Sequence, residues 1–427
     1  MFQLINAQSL VGVVLIPALC WAMSEARGRF PWRLALGAAA AQAGLVLLLF
    51  GFPPARAAMS GAGAAVDGLN TATQAGVKFV FGFLAGSDAQ PYGVTNPGAL
   101  YVFAFHVLPV ILVICALSAL LWHWRVLKWL TQGFGFVFEK TMGLRGAPAL
   151  ATAATIFMGQ VEGPIFIRGY LAVLTRSELF LLLTVGMACV SGSTVVAYAT
   201  ILKDVLPNAA AHVLTASLIS APAGVLLARI LVPRDPAAER AEPLDLRGIK
   251  IYDSSIDALI KGTGDGLQIV LNVAATLVVF VALIAMADGL LGFLPNVGGA
   301  PISIERGLGL AFTPLAWTMG VPWREAGAAG SLLGLKLVLT EFTAFFHMAA
   351  FAPGVIGDRT RVIMTYALCG FGNIASVGIN VAGYAVLVPE RRSEVVGMVW
   401  KAMLGGFLAT CLTASVVGAL PARLFGG

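Results

Sequence analysis

The sequence predicts an all-α polytopic membrane protein with about eight transmembrane helices and two re-entrant helical hairpins in an inverted repeat. Composition is the first observation behind this prediction: of 427 residues, 59% are hydrophobic and only 11% are charged. Soluble domains carry roughly 25% charged residues, so a soluble protein is excluded. The second observation is the length of the apolar runs. The third is a pair of apolar segments that are interrupted in matching positions.

Eight continuous apolar runs approach the roughly 20 residues that a transmembrane helix needs. They fall at residues 4–22, 33–52, 100–122, 179–201, 209–232, 268–293, 362–388 and 395–422. Basic residues cluster between the runs, and the positive-inside rule places those clusters in the cytoplasm, with both termini outside. The formal net charge of +6 is thereby explained by membrane topology, and no nucleic-acid partner is expected.

The cysteines and histidines give no sign of a metal site or a disulfide. The five cysteines lie far apart, each within an apolar stretch, and the four histidines are equally scattered. Buried apolar thiols are therefore the expected state of the cysteines. We expect no cofactor, and no metal beyond a possible Na⁺ at a cation site.

Two apolar segments are interrupted by glycine, a carboxylate and, in the first, proline. They span about 147–175 and 326–352. The first contains Glu162 within the string GQVEGP, and the second contains Glu341. About 30 residues after each carboxylate, small polar residues fall inside a spanning run, at 191–194 and at 373–376. Broken apolar segments in matching positions of two halves indicate a transporter binding site formed by discontinuous helices.

Glu162 and Glu341 are candidate functional residues because a carboxylate in hydrocarbon costs at least ~2.5 kcal/mol. The glycines beside them free backbone groups that only a lined cavity can satisfy. An alternative is a structural ion pair, with Arg168 or Lys336 as the partner. For Asn373 the alternative is ordinary hydrogen bonding between helices.

Several longer motifs resemble those of the concentrative nucleoside transporter family. The first is the hairpin string at 159–171, continued by 174–180. Two more lie before the second hairpin, at 314–323 and 329–334, and one lies in the helix after it, at 366–373. The similarity runs in order from about residue 100 to the C-terminus.

The resemblance implies a homotrimer that imports nucleosides together with a cation, by elevator-type alternating access of a transport domain against a scaffold. It implies a multi-pass protein of the bacterial inner membrane, in contact with membrane lipid. It also implies a division of the chain into four parts. These are scaffold spans and an interfacial helix (1–145), the first hairpin and following helices (146–232), a cytoplasmic linker and long scaffold helix (233–300), and the second hairpin and last two spans (301–427).

The resemblance further assigns residues to the substrate and to the cation. It implies that the ribose hydroxyls bind to the second half and that the nucleobase binds to the first hairpin. The implied substrate-binding residues are Gln160, Val161, Glu162, Thr194, Glu341, Phe371, Asn373 and Ser376. The implied cation-site residues are Thr155, Met158, Cys189 and Val190.

Three of these positions depart from the family pattern. Val161 stands where the family usually has threonine, which removes a hydroxyl from the base pocket. Thr155 and Cys189 stand where sodium-coupled members have an asparagine and a small hydroxyl residue. A thiol is a poor ligand for a hard cation. The coupling ion is therefore H⁺ or Na⁺, and we predict that Na⁺ coupling is weakened or replaced by proton coupling.

Three rival functions fit the sequence less well. An intramembrane aspartyl protease needs two carboxylates on facing helices, but Asp253 and Asp265 are only 12 residues apart in a segment predicted to be a polar loop. A passive channel would place charges or carbonyls along an open pore. A transporter of the same family for a different small base or polyol is the main alternative. An enzymatic function is not expected.

Overall fold

The computed structural model describes residues 4–28, 30–85, 102–106, 108–144, 146–160, 162–165, 167–234, 252–296, 299 and 301–421, and it is helical without strands over these residues. In chain order the described α-helices are α1 (Leu4–Ala22), α2 (Trp32–Gly51), α3 (Pro53–Phe81), α4 (Phe103–His106), α5 (Leu108–His123), α6 (Val126–Met142), α7 (Ala147–Met158), α8 (Glu162–Ile165), α9 (Arg176–Ala188), α10 (Gly192–Leu202), α11 (Ala209–Leu231), α12 (Ser255–Leu291), α13 (Ile304–Thr318), α14 (Trp323–Val338), α15 (Glu341–Ala350), α16 (Asp358–Leu368), α17 (Ile374–Leu387) and α18 (Arg392–Ala419).

Three of the described helices are long and apolar enough to cross a membrane without interruption. They are α2, α11 and the segment Pro389–Ala419, which contains α18. A fourth candidate span is the pair α5 and α6, bent by 77°. In the most apolar stretch of α11, and in that of Pro389–Ala419, 89% of the residues are buried, compared with 22% in α2. The helices α11 and α18 are therefore the central elements around which the others pack.

Two of the predicted spans are interrupted in their middle. The sequence predicts continuous helices over 179–201 and 362–388, and this is wrong for both. The first run is divided into α9 and α10, and the second into α16 and α17. Each second segment begins after a residue with extended backbone, Ser191 before α10 and Asn373 before α17. Serine and asparagine favour this N-cap conformation, so the breaks have a local cause.

The two halves of the chain repeat one order of elements. A hairpin (α7 and α8), a broken helix (α9 and α10) and a long buried helix (α11) make up the first half. The second half repeats them as α14 with α15, α16 with α17, and α18. The two long helices pack against each other and against the first segments of both broken helices. Such a repeat is the arrangement in which transporters form a site from discontinuous helices.

The two broken helices meet close to their breaks, and glycine permits the approach. A Cβ atom at Gly370 would lie 2.7 Å from the carbonyl oxygen of Ala188 and 2.5 Å from a methyl carbon of Thr410. A Cβ atom at Gly406, on α18, would lie 2.6 Å from that of Met187. Larger residues at these positions would separate the helices that form the centre of the molecule.

The long helix α12 packs mainly against α5. Gly262 allows the two helices to approach closely, because a Cβ atom at this position would lie 2.7 Å from the carbonyl oxygen of Cys115. The other described side chains of α12 are mostly exposed, including Val278 at 71% and Met286 at 67%. This apolar surface faces lipid or another protein rather than the core of the chain.

We predict that Gly370→Ala lowers the thermal unfolding midpoint of the detergent-solubilised protein. Overpacking a tight contact costs about 1–3 kcal/mol. The matched control is Gly378→Ala in α17, where an added Cβ atom meets nothing within 4 Å. That change should be neutral or stabilising, because alanine favours a helix over glycine. Equal unfolding midpoints for the two variants would show that the breaks tolerate a wider separation.

Candidate functional site

Glu341 lies at the tip of the second hairpin, and two donors hold its carboxylate. The hydroxyl of Tyr198 donates to Oε1 at 2.7 Å, and the Nδ2 amide of Asn373 donates to Oε2 at 2.6 Å. The residue is 4% exposed. Its place in the chain is set by Thr340, whose side chain caps α15 by accepting from the backbone N–H of Thr343. A buried carboxylate needs such donors, because desolvating an unpaired charge is costly.

Asn373 connects the second helix break with this carboxylate. Its Oδ1 atom accepts from the backbone N–H of Ser376 at 2.8 Å and so caps α17. The cap uses only the carbonyl end of the side-chain amide. The Nδ2 end therefore donates to Glu341 across the gap between α15 and α17. One residue both starts the helix and binds the neighbouring hairpin.

Gln160 brings the first hairpin into the same network. Its Nε2 atom donates to Oγ of Ser376 at 3.3 Å, and its Oε1 atom accepts from Nδ2 of Asn380 at 2.8 Å. Asn380 also donates to the carbonyl of Ser376, and its Oδ1 atom has no hydrogen-bond partner among the described residues. The structure thus joins four of the predicted substrate residues: Gln160, Glu341, Asn373 and Ser376.

Of the other predicted substrate residues, the structure describes the side chains of Thr194 and Phe371. The hydroxyl of Thr194 donates to a backbone carbonyl three residues earlier at 2.8 Å and interacts with that of Tyr198. Phe371 lies in the break between α16 and α17 and is partly buried. Val161 lies outside the described residues. For Glu162, which begins α8, the side chain also lies outside the described part.

Tyr198 and Asn380 belong to the site but were not identified from the sequence. Tyr198 follows the N-cap residue Ser191 by seven positions, and it contacts the tip of the second hairpin. Asn380 follows the N-cap residue Asn373 by the same interval, and it contacts the tip of the first hairpin. This equal spacing is present in the sequence. It becomes a signal only when the positions of both breaks are known.

The predicted cation-site residues lie at the ends of α7 and α9, and their polar groups are bonded within the protein. Met158 is the last residue of α7, and Oγ1 of Thr155 donates to a carbonyl one helical turn earlier. Sγ of Cys189 lies 3.7 Å from the carbonyl oxygen of Ser217, and the hydroxyl of Ser217 donates to the carbonyl of Val190 at 3.1 Å. Across the part of the chain that the structure describes, no group of three or more His, Cys, Asp or Glu residues is placed to bind a metal ion.

The described side chains of Glu341 and Lys336 do not form the alternative ion pair. Nζ of Lys336 donates instead to the carbonyl oxygen of Ala367 and to Oγ1 of Thr410, both at 2.7 Å. The other candidate partner, Arg168, is exposed. The carboxylate of Glu341 is bound by the neutral donors described above, and these leave lone pairs that further hydroxyl groups can use.

Comparison with known protein families gives matches along most of the chain. Residues 11–84 match the family described as the N-terminus of Na⁺ dependent nucleoside transporters, and residues 212–418 match the C-terminus of the same proteins. Residues 104–205 match a family named Gate, whose description is nucleoside recognition.

Individual proteins agree with these matches. The uncharacterized transporter YutK of Bacillus subtilis is 35% identical over 412 residues, which cover 96% of this chain and 98% of that protein. The nucleoside permease NupC of Helicobacter pylori is 30% identical over 415 residues, 96% of each chain. A solved structure of CNTnw in an inward-facing substrate-bound state has 33% identity and a TM-score of 0.89 over 99% of both chains. The chain belongs to the concentrative nucleoside transporter family.

Membership of this family confirms the predicted helical membrane fold and makes the protein a multi-pass inner-membrane transporter rather than an enzyme. The aspartyl protease alternative is therefore excluded. The prediction that Asp265 lies in a polar loop is also wrong, because Asp265 lies within α12.

We predict that Tyr198→Phe lowers the free energy of unfolding by about 1.5–3 kcal/mol, the range for a hydrogen bond to a charged group. Tyr384→Phe is the matched control, because Tyr384 is equally buried but its hydroxyl has no partner among the described residues. We expect that control to be neutral or stabilising. Thermal unfolding in detergent measures both, and equal midpoints would show that Tyr198 does not stabilise the carboxylate.

Proposed function

We propose that the protein imports nucleosides across the inner membrane by symport with a cation. The observation that carries the proposal is the network that links both hairpin tips to the second helix break. A carboxylate accepts charge-assisted hydrogen bonds from the vicinal hydroxyls of ribose, and these are roughly twice as strong as neutral ones. Side-chain amides supply donors and acceptors together, which matches the edge of a nucleobase.

In this proposal the second half binds the sugar and the first hairpin binds the base. The ribose contacts are assigned to Glu341, Asn373 and Ser376. The base side of the pocket is assigned to Gln160, Val161, Glu162, Thr194 and Phe371. The names of the relatives support a nucleoside as the substrate, since NupC is a nucleoside permease and CNTnw was solved in a substrate-bound state.

Alternating access of elevator type is the mechanism that we propose. CNTnw has been solved in inward-facing, outward-facing and intermediate states, and this chain matches these with TM-scores of 0.89, 0.87 and 0.87. The scaffold is assigned to 1–145 and 233–300, and the moving parts to 146–232 and 301–427. The packing of α12 on α5 supports placing both in the scaffold. The exposed apolar surface of α12 supports a homotrimer, and the basic clusters support termini that face outward.

We propose a proton as the coupling ion, with Na⁺ as the second candidate. Hard cations need several oxygen ligands to offset their dehydration. Here Cys189 offers sulfur, and the carbonyl of Val190 accepts from Ser217. The hydroxyl of Thr155 is bonded within its own helix. A proton needs only a carboxylate, for which Glu162 and Glu341 are the candidates. Sodium coupling is favoured by the description of the matching family.

We predict that Glu341→Gln reduces nucleoside affinity by about 1.5–3 kcal/mol, because the amide loses the charge that strengthens its hydrogen bonds to the sugar. The measurement is uptake of labelled uridine into liposomes that contain the purified protein. Glu325→Gln is the control, since Glu325 lies at the far end of the same hairpin and accepts from the backbone of Gly357. Parental uptake by a correctly folded Glu341→Gln protein would remove Glu341 from the site.

We further predict that an inward proton gradient drives uptake more strongly than an inward Na⁺ gradient. Each gradient is imposed separately on the same liposomes, with a panel of nucleosides, bases and polyols as substrates. Steep and saturable stimulation by Na⁺ at constant pH, without a response to protons, would contradict the proposal. Counterflow with preloaded substrate separates a transporter from a passive channel.

A double variant makes the ion assignment sharper. Thr155→Asn with Cys189→Ser supplies the two side-chain oxygens that sodium-coupled relatives are expected to use at these positions. We predict that Na⁺ stimulation increases in this variant relative to the parent. An unchanged response to Na⁺ would show that these two positions do not determine the coupling ion.

A further inference from the structure

Lys336, in α14, is a completely buried cation that the proposed substrate contacts do not use. Its exposure is 0%. Nζ donates to the carbonyl oxygen of Ala367 and to Oγ1 of Thr410, and it lies 5.4 Å from the ring centre of Phe407. Lys336 lies in the last turn of α14, and a lysine buried inside a membrane protein is costly unless it is paired, so its presence requires a physical reason.

The surroundings of Nζ are those of a binding site for an ammonium ion. A carbonyl oxygen can only accept a hydrogen bond. The hydroxyl of Thr410 donates to the carbonyl of Phe407 at 2.8 Å, so its oxygen is an acceptor for Lys336. The face of an aromatic ring carries negative potential and attracts a cation. An ammonium group has three donors and no acceptor, and it therefore matches all three neighbours.

The site also lies where a helix end attracts positive charge. Ala367 is in the last turn of α16, directly before the second break. The last carbonyls of a helix have no partner within the helix and form the negative end of its dipole. Six residues further along the chain, Asn373 donates to Glu341. An ammonium at the end of α16 therefore stabilises the backbone that leads to the substrate residues.

The first half contains the same three structural components, and the described side chains place no cation at the end of its α9. They are one arm of a hairpin (α7), the end of the first segment of a broken helix (α9) and the long helix α11. The predicted cation site lies there, and the carbonyl of Val190, just after α9, accepts from the hydroxyl of Ser217 on the long helix α11. In the second half the donor to the carbonyl of Ala367 lies on the hairpin arm α14.

Between residues 147 and 232, the described cationic side chains outside α11 are those of Arg168, Arg176 and Lys203, and all three are exposed. Arg229 of α11 is buried, but its Nη1 atom donates to Ser177 in the first turn of α9, at the opposite end of that helix from the predicted cation site.

We propose that the ammonium group of Lys336 is a tethered cation, meaning a cation that is held in place by its own side chain. It permanently occupies the place in the second half that corresponds to the exchangeable cation site of the first half. The inference rests on the proposed cation symport. One of two corresponding places needs no ion from solution, because its occupant is bound covalently to the moving hairpin. Only the first-half site can then exchange a metal cation with the two sides of the membrane, because a coupling proton is carried by a carboxylate. Lys336 acts as a positioning residue, through the end of α16.

The test is chemical rescue with the purified full-length protein in liposomes. Lys336→Ala removes the ammonium and leaves room for a small alkylammonium ion. At subsaturating uridine we expect uptake to fall by about 10- to 100-fold, the range for losing hydrogen bonds to a charged group. Propylammonium should restore uptake in a saturable manner, whereas propanol, which is neutral and of the same length, should not. Thermal unfolding of the variant is measured with the same additives.

Lys401→Ala is the matched control. Lys401 lies on α18 and binds Glu25, but 25% of its side chain is exposed. Propylammonium should change neither uptake nor unfolding in this control. Parental uptake by Lys336→Ala, or loss of uptake that no alkylammonium restores in a folded protein, would overturn the proposal. Rescue by propanol as well would assign Lys336 a packing role only and would also overturn it.

Two further results keep this test separate from that of the transport function. If the parent transports no nucleoside under any gradient, the proposed function fails, and selective stabilisation of Lys336→Ala by propylammonium still decides whether the site binds ammonium. If Lys336→Ala does not fold, Thr410→Val replaces it, since this change keeps the charge and removes one acceptor. We expect uptake by that variant to fall by about 3- to 30-fold relative to the parent. Parental uptake by folded Thr410→Val would overturn the proposal.

Discussion

Helix breaks within the membrane are the constraint on which the rest of this structure depends. Hydrocarbon offers no hydrogen-bond partner, so each backbone group released at a break needs a partner inside the protein. At the end of α9, the hydroxyl of Ser217 bonds both the N–H and the carbonyl of Val190. At the end of α16, the ammonium of Lys336 bonds the carbonyl of Ala367. Both long helices contribute to these contacts, because Ser217 lies on α11 and Thr410 of α18 accepts from Lys336.

The same breaks create the candidate site. A helix that begins in the middle of the membrane needs an N-cap, and an asparagine cap presents an amide at that point. Asn373 uses one end of its amide for the cap and the other for Glu341. The tip of the first hairpin lies beside the second break, where Gln160 donates to Ser376 of the opposite half. The candidate site is therefore a consequence of how the interrupted backbone is satisfied.

The two halves share a fold but differ in their polar chemistry. In the described part of the first half, neutral hydroxyl, thiol and carbonyl groups surround the end of α9. In the second half a buried lysine and a buried carboxylate lie on the two arms of one hairpin. They bind different partners, because Lys336 precedes the turn and Glu341 follows it. This asymmetry is the basis on which Lys336 is proposed as a tethered cation of the second half.

The sequence by itself determined the membrane environment, the two hairpins, the family resemblance and four residues of the network, because composition and short motifs carry that information locally. It did not reveal the breaks in 179–201 and 362–388, since an apolar run has the same hydropathy whether its helix is continuous or interrupted. It also suggested Lys336 as a partner for Glu341, five residues away. Only the tertiary structure decided the partners of Tyr198, Asn380 and Lys336. Each of these bonds joins elements that are distant in the chain, and which groups meet depends on how the helices cross.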